Sequence, residues 1–262
     1  MIELGLAKRN VIVPVCANSL DVPVRSAMEG IMGRVWVPDL ENPSFCLIKL
    51  GTFAYVLGVP PKGERTLELL KVIRTECGGT FIKPENEHWI NWMESSLEDG
   101  YRTVSRYALK YDEARFDREK LKSYADSLPE GYVMKKIDRT LFRQLLKEDW
   151  SAPFVSNFEN EDQFEKSGTG YGILKGKELV SGCSACGFSE GMMEMDAETK
   201  TEYRRKGLSA CAAAKFLLDC LDRNLKPNWN TFSLHMVSVA KELGYTLDRD
   251  ITVFQIAPED FE

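Results

Sequence analysis

Residues Met192-Met-Glu-Met-Asp-Ala-Glu-Thr-Lys-Thr-Glu-Tyr-Arg-Arg-Lys-Gly-Leu-Ser209 hold the pattern that decides the fold. The first part alternates, with Met193, Met195 and Ala197 on one face and Glu194, Asp196 and Glu198 on the other, as a strand with one buried face requires. A loop carrying Arg204, Arg205 and Lys206 follows, and Gly207 opens a helical pattern. There Leu208, Ala212, Phe216 and Cys220 recur every four residues, with Leu217 and Leu221 beside them, a stripe suited to lie on a sheet. A helix start leaves N–H groups without intrahelical partners and gathers the positive end of the peptide dipoles. A diphosphate is an apt ligand for such a corner. Gly207 has no side chain to obstruct a phosphate oxygen, Ser209 can add a hydroxyl donor, and the basic residues put positive charge at the mouth. A solvated strand-to-helix corner would show the same residue types, so the motif alone leaves both readings open.

The flanking sequence builds a layer around that corner. Upstream, Ile173 to Lys175 and Leu179 to Ser184 read as strands joined by a hairpin turn at Gly176-Lys177, and Tyr132 to Ile137 as a strand leading into a helix capped by Asp138. Downstream, Pro227 blocks helix continuation, Asn228 to Thr231 forms a short strand, Ser233 to Leu243 a helix ended by Gly244, and Ile251 to Ala257 a last strand. The order from Tyr132 is β-α-α-β-β-β-α-β-α-β. It predicts an α/β (α+β) fold with a mixed sheet flanked by helices. Leu128-Pro-Glu-Gly131 is a turn-rich break, so the boundary is placed there: 1–130 an N-terminal α/β domain, 131–262 a second domain.

In the first half, Arg34 to Val37, Cys46 to Leu50 and Phe53 to Gly58 read as strands, and Thr66 to Thr75, Glu87 to Ser96 and Asp112 to Ser127 as helices. Leu67, Leu70 and Ile73 recur at steps of three as the buried face of the first helix, with Leu69 and Val72 beside them. Val11 to Ala17 follows Lys8-Arg9 as a leader would, but Pro14 inside it and Glu3 ahead of it favour an internal strand. Trp89, Trp92, Tyr101 and Tyr107 have spacings more usual for a core than for a cleft.

Hydrophobic residues make up 44% and charged residues 28% of 262, which suits a globular protein with a substantial core. The net charge of -6 argues against a general nucleic-acid binder. No run of 18 apolar residues is present, so no membrane span is expected, and the expected location is cytoplasmic. An odd count of 7 cysteines suits reduced thiols better than a disulfide framework. Cys183-Ser-Ala-Cys186 has metal spacing but lies in a strand-like run. With His88 and His235 as the only histidines, no metal site is expected.

The central stretch resembles motif A of the GCN5-related N-acetyltransferase (GNAT) superfamily, whose signature Arg/Gln-x-x-Gly-x-Gly/Ala appears here as Arg204-Arg-Lys-Gly-Leu-Ser209. Trp229-Asn-Thr-Phe-Ser-Leu-His-Met-Val-Ser-Val-Ala-Lys-Glu-Leu-Gly-Tyr245 resembles motif B of the same superfamily. A subgroup that includes zwittermicin A resistance acetyltransferases is similar again through Arg34-Val-Trp-Val-Pro-Asp39. Strands followed by helices recur in residues 1–130, which reads as a degenerate copy of the same fold lacking any Arg/Gln-x-x-Gly-x-Gly/Ala loop.

The resemblance implies acetyl-coenzyme A as cofactor and direct transfer of its acetyl group to a primary amine, with a small molecule as partner, neither nucleic acid nor membrane, and a homodimer left open. By analogy the backbone of Arg204, Arg205, Lys206, Gly207, Leu208 and Ser209 would hold the diphosphate. Ala197 and Thr199 would pair with the pantetheine arm as a strand pairs with a sheet edge. An edge N–H would also face the thioester oxygen, where negative charge develops. An amine protonated at pH 7 needs a base, and Glu194, then Glu198, are the candidates. Two departures stand out: Ala240 occupies the place of the superfamily's usual tyrosine acid, and Ser233 that of a common asparagine. Tyr245 reads as core and His235 as a packed or surface residue. Alternatives are a coenzyme-binding regulatory protein with little turnover and a protein acetyltransferase.

Overall fold

The computed structural model describes residues 1–258; residues 259–262, the end of the expected second domain, lie outside it. The chain divides into two compact units, residues 1–106 with the segment from Ile251, and Tyr107–Asp250.

The first unit holds β1 (Ile2–Glu3), α1 (Val13–Cys16), α2 (Val22–Met28), β2 (Arg34–Val37), β3 (Phe45–Leu50), β4 (Phe53–Gly58), α3 (Glu64–Glu76), β5 (Phe81–Pro84), α4 (Glu87–Ser96) and most of β6 (Tyr101–Lys110). Its sheet runs β1-β2-β3-β4-β5 and then takes in residues from 251 onward, where Phe254 pairs with Ile82. β4 and β5 are parallel, joined by the crossover helix α3. Strands buried on both faces explain their near-continuous apolar runs. Phe45, Leu47, Ala54 and Val56 face Leu69, Ile73 and Trp89, while Cys46, Ile48, Tyr55 and Leu57 face Ile12, Cys16, Val24 and Ala27.

Two expectations need correcting here. Val11 to Ala17 is helical, a 3-10 turn over Leu6–Ile12 running into α1. Pro14 sits in the first turn of α1, where its missing N–H costs nothing, and Ile12 and Cys16 are buried four residues apart. In α3 the buried residues are Leu69, Leu70 and Ile73, whereas Leu67 is 68% exposed. The i, i+4 pair Leu69 and Ile73 sets the face. Trp89 and Trp92 are core, as their spacing implied.

The second unit holds α5 (Arg118–Asp126), β7 (Tyr132–Lys136), α6 (Arg139–Leu145), α7 (Glu161–Ser167), β8 (Gly170–Lys175), β9 (Glu178–Ser189), β10 (Met192–Thr199), α8 (Leu208–Asp222), β11 (Lys226–Thr231), α9 (Leu234–Leu243) and the start of β12 (Thr246–Ile256). From β7 onward this is the element order read from the sequence. The turn at Leu128–Gly131 is present between α5 and β7, and both of these belong to the second unit, where α5 packs on α8. The sheet runs from residues 107–109 of β6 through β11, β10, β9 and β8 to β7. Asp138 caps α6 by accepting from the Leu141 N–H at 2.8 Å. Buried Leu208, Ala212, Phe216, Leu217 and Cys220 form the inner face of α8, as the four-residue stripe required. The order strand-strand-strand-helix-strand-helix-strand thus occurs in both units, as β2 to β6 and as β8 to β12.

Candidate active site

The register of β10 creates the site. Its parallel pairing with β11 runs from Met192–Lys226 to Met195–Trp229 and stops there. Beyond that point Asn230 and Thr231 pair with β6, while β10 continues to Thr199 on β9 alone. The Lys200 N–H donates to the Val180 carbonyl at 2.9 Å, so the even-numbered residues Asp196 and Glu198 turn their backbone groups toward β9. Ala197 and Thr199 therefore turn theirs toward the edge that β11 has left.

Side chains meet these edge groups. The Ala197 N–H donates to Asp196 Oδ1 and the Thr199 N–H to Glu198 Oε1, each at 2.9 Å. The Thr199 carbonyl accepts from Arg204 Nε at 3.1 Å, and Arg204 Nη2 pairs with Glu198 Oε1 at 3.1 Å. Glu198 and Arg204 are 45% and 55% exposed, so this is a surface pair of small net value, able to exchange partners.

The loop then turns through two left-handed residues, Arg205 (φ 64°) and Gly207 (φ 74°). Gly207 stands at the start of α8 with no side-chain cap, which leaves first-turn N–H groups of this 15-residue helix directed outward. A Cβ on Gly207 would meet nothing within 4 Å, so the dihedral, rather than packing, demands glycine. Leu208 is buried and Ser209 half-buried. Lys206 turns aside, its Nζ 3.3 Å from the Tyr132 hydroxyl and 5.1 Å above the Tyr203 ring.

Glu194 departs from the expected solvent-facing row. It is 4% exposed, sits at the last stretch of β10–β11 pairing, and accepts hydrogen bonds from the amides of Asn228 and Asn230 on β11, the latter at 3.0 Å. Sequence reasoning missed both asparagines, although Asn228-Trp-Asn230 alternates polar and apolar as a strand does. The other face is apolar: Met193 and Met195 are buried, and Trp229 meets Tyr245 edge-on at 5.7 Å. Tyr245 is core, its hydroxyl donating to the Pro227 carbonyl at 2.9 Å, and burial pushes its pKa up. Ala240 is fully buried, Ser233 caps α9 by accepting from the Met236 N–H, and His235 is exposed. Cys183 pairs with Ala197, Cys186 is the β9 residue skipped where the register against β10 shifts, neither is in a disulfide, and no metal-binding cluster occurs among the described residues. No helix among those residues is long and apolar enough to cross a membrane.

The first unit treats the corresponding place differently. The Gly58 N–H at the end of β4 donates to Glu85 Oε2 at 2.9 Å, and the Gly58 carbonyl accepts from the Trp89 indole at 2.8 Å. The loop to α3 is Val59-Pro-Pro-Lys-Gly63, in which two residues have no N–H, and Glu64 opens the helix.

Comparison with known proteins gives the family. The GNAT acetyltransferase family matches residues 14–254. The chain belongs to that family. A GCN5-related N-acetyltransferase-like protein from Streptococcus suis 89/1591 superposes with a TM-score of 0.87 at 30% identity, over 97% of this chain and 100% of that one. A tandem GNAT protein from the clavulanic acid biosynthesis pathway shares the fold at 13% identity, with a TM-score of 0.56 over 97% of this chain and 96% of that one. An uncharacterized N-acetyltransferase of Bacillus subtilis (strain 168), YdfB, is 26% identical over 171 residues. That match spans 64% of this GNAT chain and 63% of the relative's length.

Proposed function

We propose that this chain binds acetyl-coenzyme A along the free edge of β10 and at the start of α8, and moves the acetyl group onto a primary amine of a small molecule. One observation carries the reading: β10 parts from β11 after Met195, immediately ahead of a helix whose first turn has no side-chain cap. Pantetheine is an amide-bearing chain, and the Ala197 and Thr199 backbone offers it alternating donors and acceptors, as a sheet edge offers an added strand. Arg204 to Ser209 supply N–H groups and charge for the diphosphate. When bound, acetyl-coenzyme A supplies an activated acetyl group as a thioester. Glu194, at the point where the strands part, is the base that takes a proton from the amine, with Glu198 the second candidate.

The first unit is read as a degenerate copy that has lost the coenzyme. Its strand end is filled by Glu85 and Trp89, and its prolines remove donors from the loop. The full-length likeness to a protein described as a tandem GNAT supports that reading. Functional domains of 1–130 and 131–262, a cytoplasmic location and kinship with zwittermicin A resistance acetyltransferases complete it. A second reading has one observation in its favour. Ala240 stands where the family's tyrosine acid would be and Tyr245 is tied to Pro227, so a coenzyme-binding protein with little turnover also fits.

Thermal melts with acetyl-coenzyme A, followed by thiol release with amines and lysine peptides, test the proposal. Stabilisation of about 3 kcal/mol at 100-fold excess over Kd follows from binding to the folded state alone. Release with small amines supports the first reading. Stabilisation without release supports the second, and release only with peptides would point to a protein acetyltransferase. No stabilisation would overturn both readings.

A further inference from the structure

The carboxyl of Glu194 is held by two amides from one strand. Asn228 is its register partner on β11, and Asn230 is the next residue of β11 on the same face. Asn228 Nδ2 donates to Oε2 and Asn230 Nδ2 to Oε1. Asn230 lies just beyond the last β10–β11 pair, so its amide reaches back across the parting strands.

We infer that Asn228 and Asn230 are positioning residues for Glu194, keeping its carboxylate ionised and aimed at the point where β10 and β11 part. The inference rests on the reading of Glu194 as the base. Burial at 4% exposure disfavours the charged form of a carboxyl, and a protonated carboxyl cannot accept a proton. Hydrogen bonds donated to the carboxylate reverse that bias, one to each oxygen. Because the amides are neutral, they add no positive charge to repel an incoming ammonium group. In the step itself the N–H bond of R–NH3+ breaks and an O–H bond forms on Glu194. The amine is left neutral with its lone pair free, and the proton passes to solvent before the next turnover. The strands supply rigidity: both asparagines project from extended backbone whose spacing is fixed by the Glu194–Asn228 and Met195–Trp229 pairs.

The test compares parent, Asn228→Ala/Asn230→Ala, Asn230→Ala alone and Glu194→Gln, each checked for acetyl-coenzyme A affinity. Both asparagines are half-buried and neither lies in the coenzyme loop, so Kd should stay within about twofold. Carbon-13 carboxyl titration of glutamate-labelled protein, with Glu194 assigned through Glu194→Gln, should show its midpoint rising by at least one pH unit in the double variant and by less in the single. Thiol release with the fastest of spermidine, glucosamine and tyramine should lose about tenfold in kcat/KM on the acidic limb, which moves up with the midpoint. In the Glu194→Gln background the asparagine substitutions should add less than twofold. An unmoved midpoint, or an equal loss of turnover in the Glu194→Gln background, overturns the inference while leaving Glu194 as base. Parental turnover in Glu194→Gln overturns the base reading, and this inference with it. Where none of these amines turns over, the carboxyl titration decides alone.

Discussion

Replacing Gly207 by glutamate separates a coenzyme corner from a plain strand-to-helix corner. Two costs can be worked out. A residue with a Cβ at φ 74° pays about 1–2 kcal/mol in the folded state, since only glycine visits that region freely. A carboxylate at the helix start recovers about 0.3–1 kcal/mol by facing the positive dipole end, so net stability falls by roughly 1 kcal/mol and the chain stays folded. The new side chain enters space with no atom within 4 Å of the Cβ, so it meets no protein wall. It would meet the diphosphate instead. Two unit charges roughly 5 Å apart repel by about 3 kcal/mol at an effective dielectric of 20, and by about 1 kcal/mol with strong solvent screening. Affinity for acetyl-coenzyme A should therefore fall by roughly 5- to 150-fold by isothermal titration calorimetry. Gly207→Ala carries the same dihedral strain without the charge and should bind within about threefold of the parent. If Gly207→Glu binds within threefold as well, the diphosphate does not lie at this corner.

Ala197→Pro should remove the edge N–H without breaking the ladder to β9, because that N–H faces away from β9. Affinity for acetyl-coenzyme A should drop at least tenfold while the melting temperature moves by only a few degrees; a melt lowered by tens of degrees would show that the N–H belongs to the fold. Leu69→Ala should cost about 2–5 kcal/mol in urea unfolding and Leu67→Ala less than about 0.5, which checks the corrected face of α3; equal losses would restore the three-step face. Burial pushes the Cys220 thiol up to about 12 from its ordinary 9, so the folded chain holds a proton that the unfolded chain releases. That stabilisation is complete below pH 9 and is lost as pH rises from 9 toward 12. At pH 10.5 the loss is about 2 kcal/mol by linkage, and a pH series of melts should be flatter in Cys220→Ala.

The fold was legible wherever a period was long and the turns were marked. The four-residue stripe of α8, the Gly176 turn and the alternation of β10 fix the second unit almost element by element. Helix α1 was misread because Val11 to Cys16 is apolar on nearly every residue, and a short apolar run has no period to distinguish strand from helix. β5 passed unseen because four residues ending in Pro84 give no alternation. In the site, Gly207 and the basic loop announce themselves in sequence. The parting of β10 from β11 does not, since strand pairing is a property of two segments, and no residue in β10 alone signals where its neighbour leaves. Glu194 shows the same limit. Its spacing places it among the polar residues of β10, while its burial and the amides of Asn228 and Asn230 that bind it come from pairing with another strand.

Amide NMR of the full chain during titration with acetyl-coenzyme A is the most direct test. If the edge of β10 and the start of α8 hold the coenzyme, the N–H signals of Ala197, Thr199 and Gly207 to Ala210 shift most and exchange most slowly once saturated. Signals from Gly58 to Glu64 in the first unit stay in place. Perturbation that spares Ala197, Thr199 and Gly207 while the ligand still binds would contradict the account.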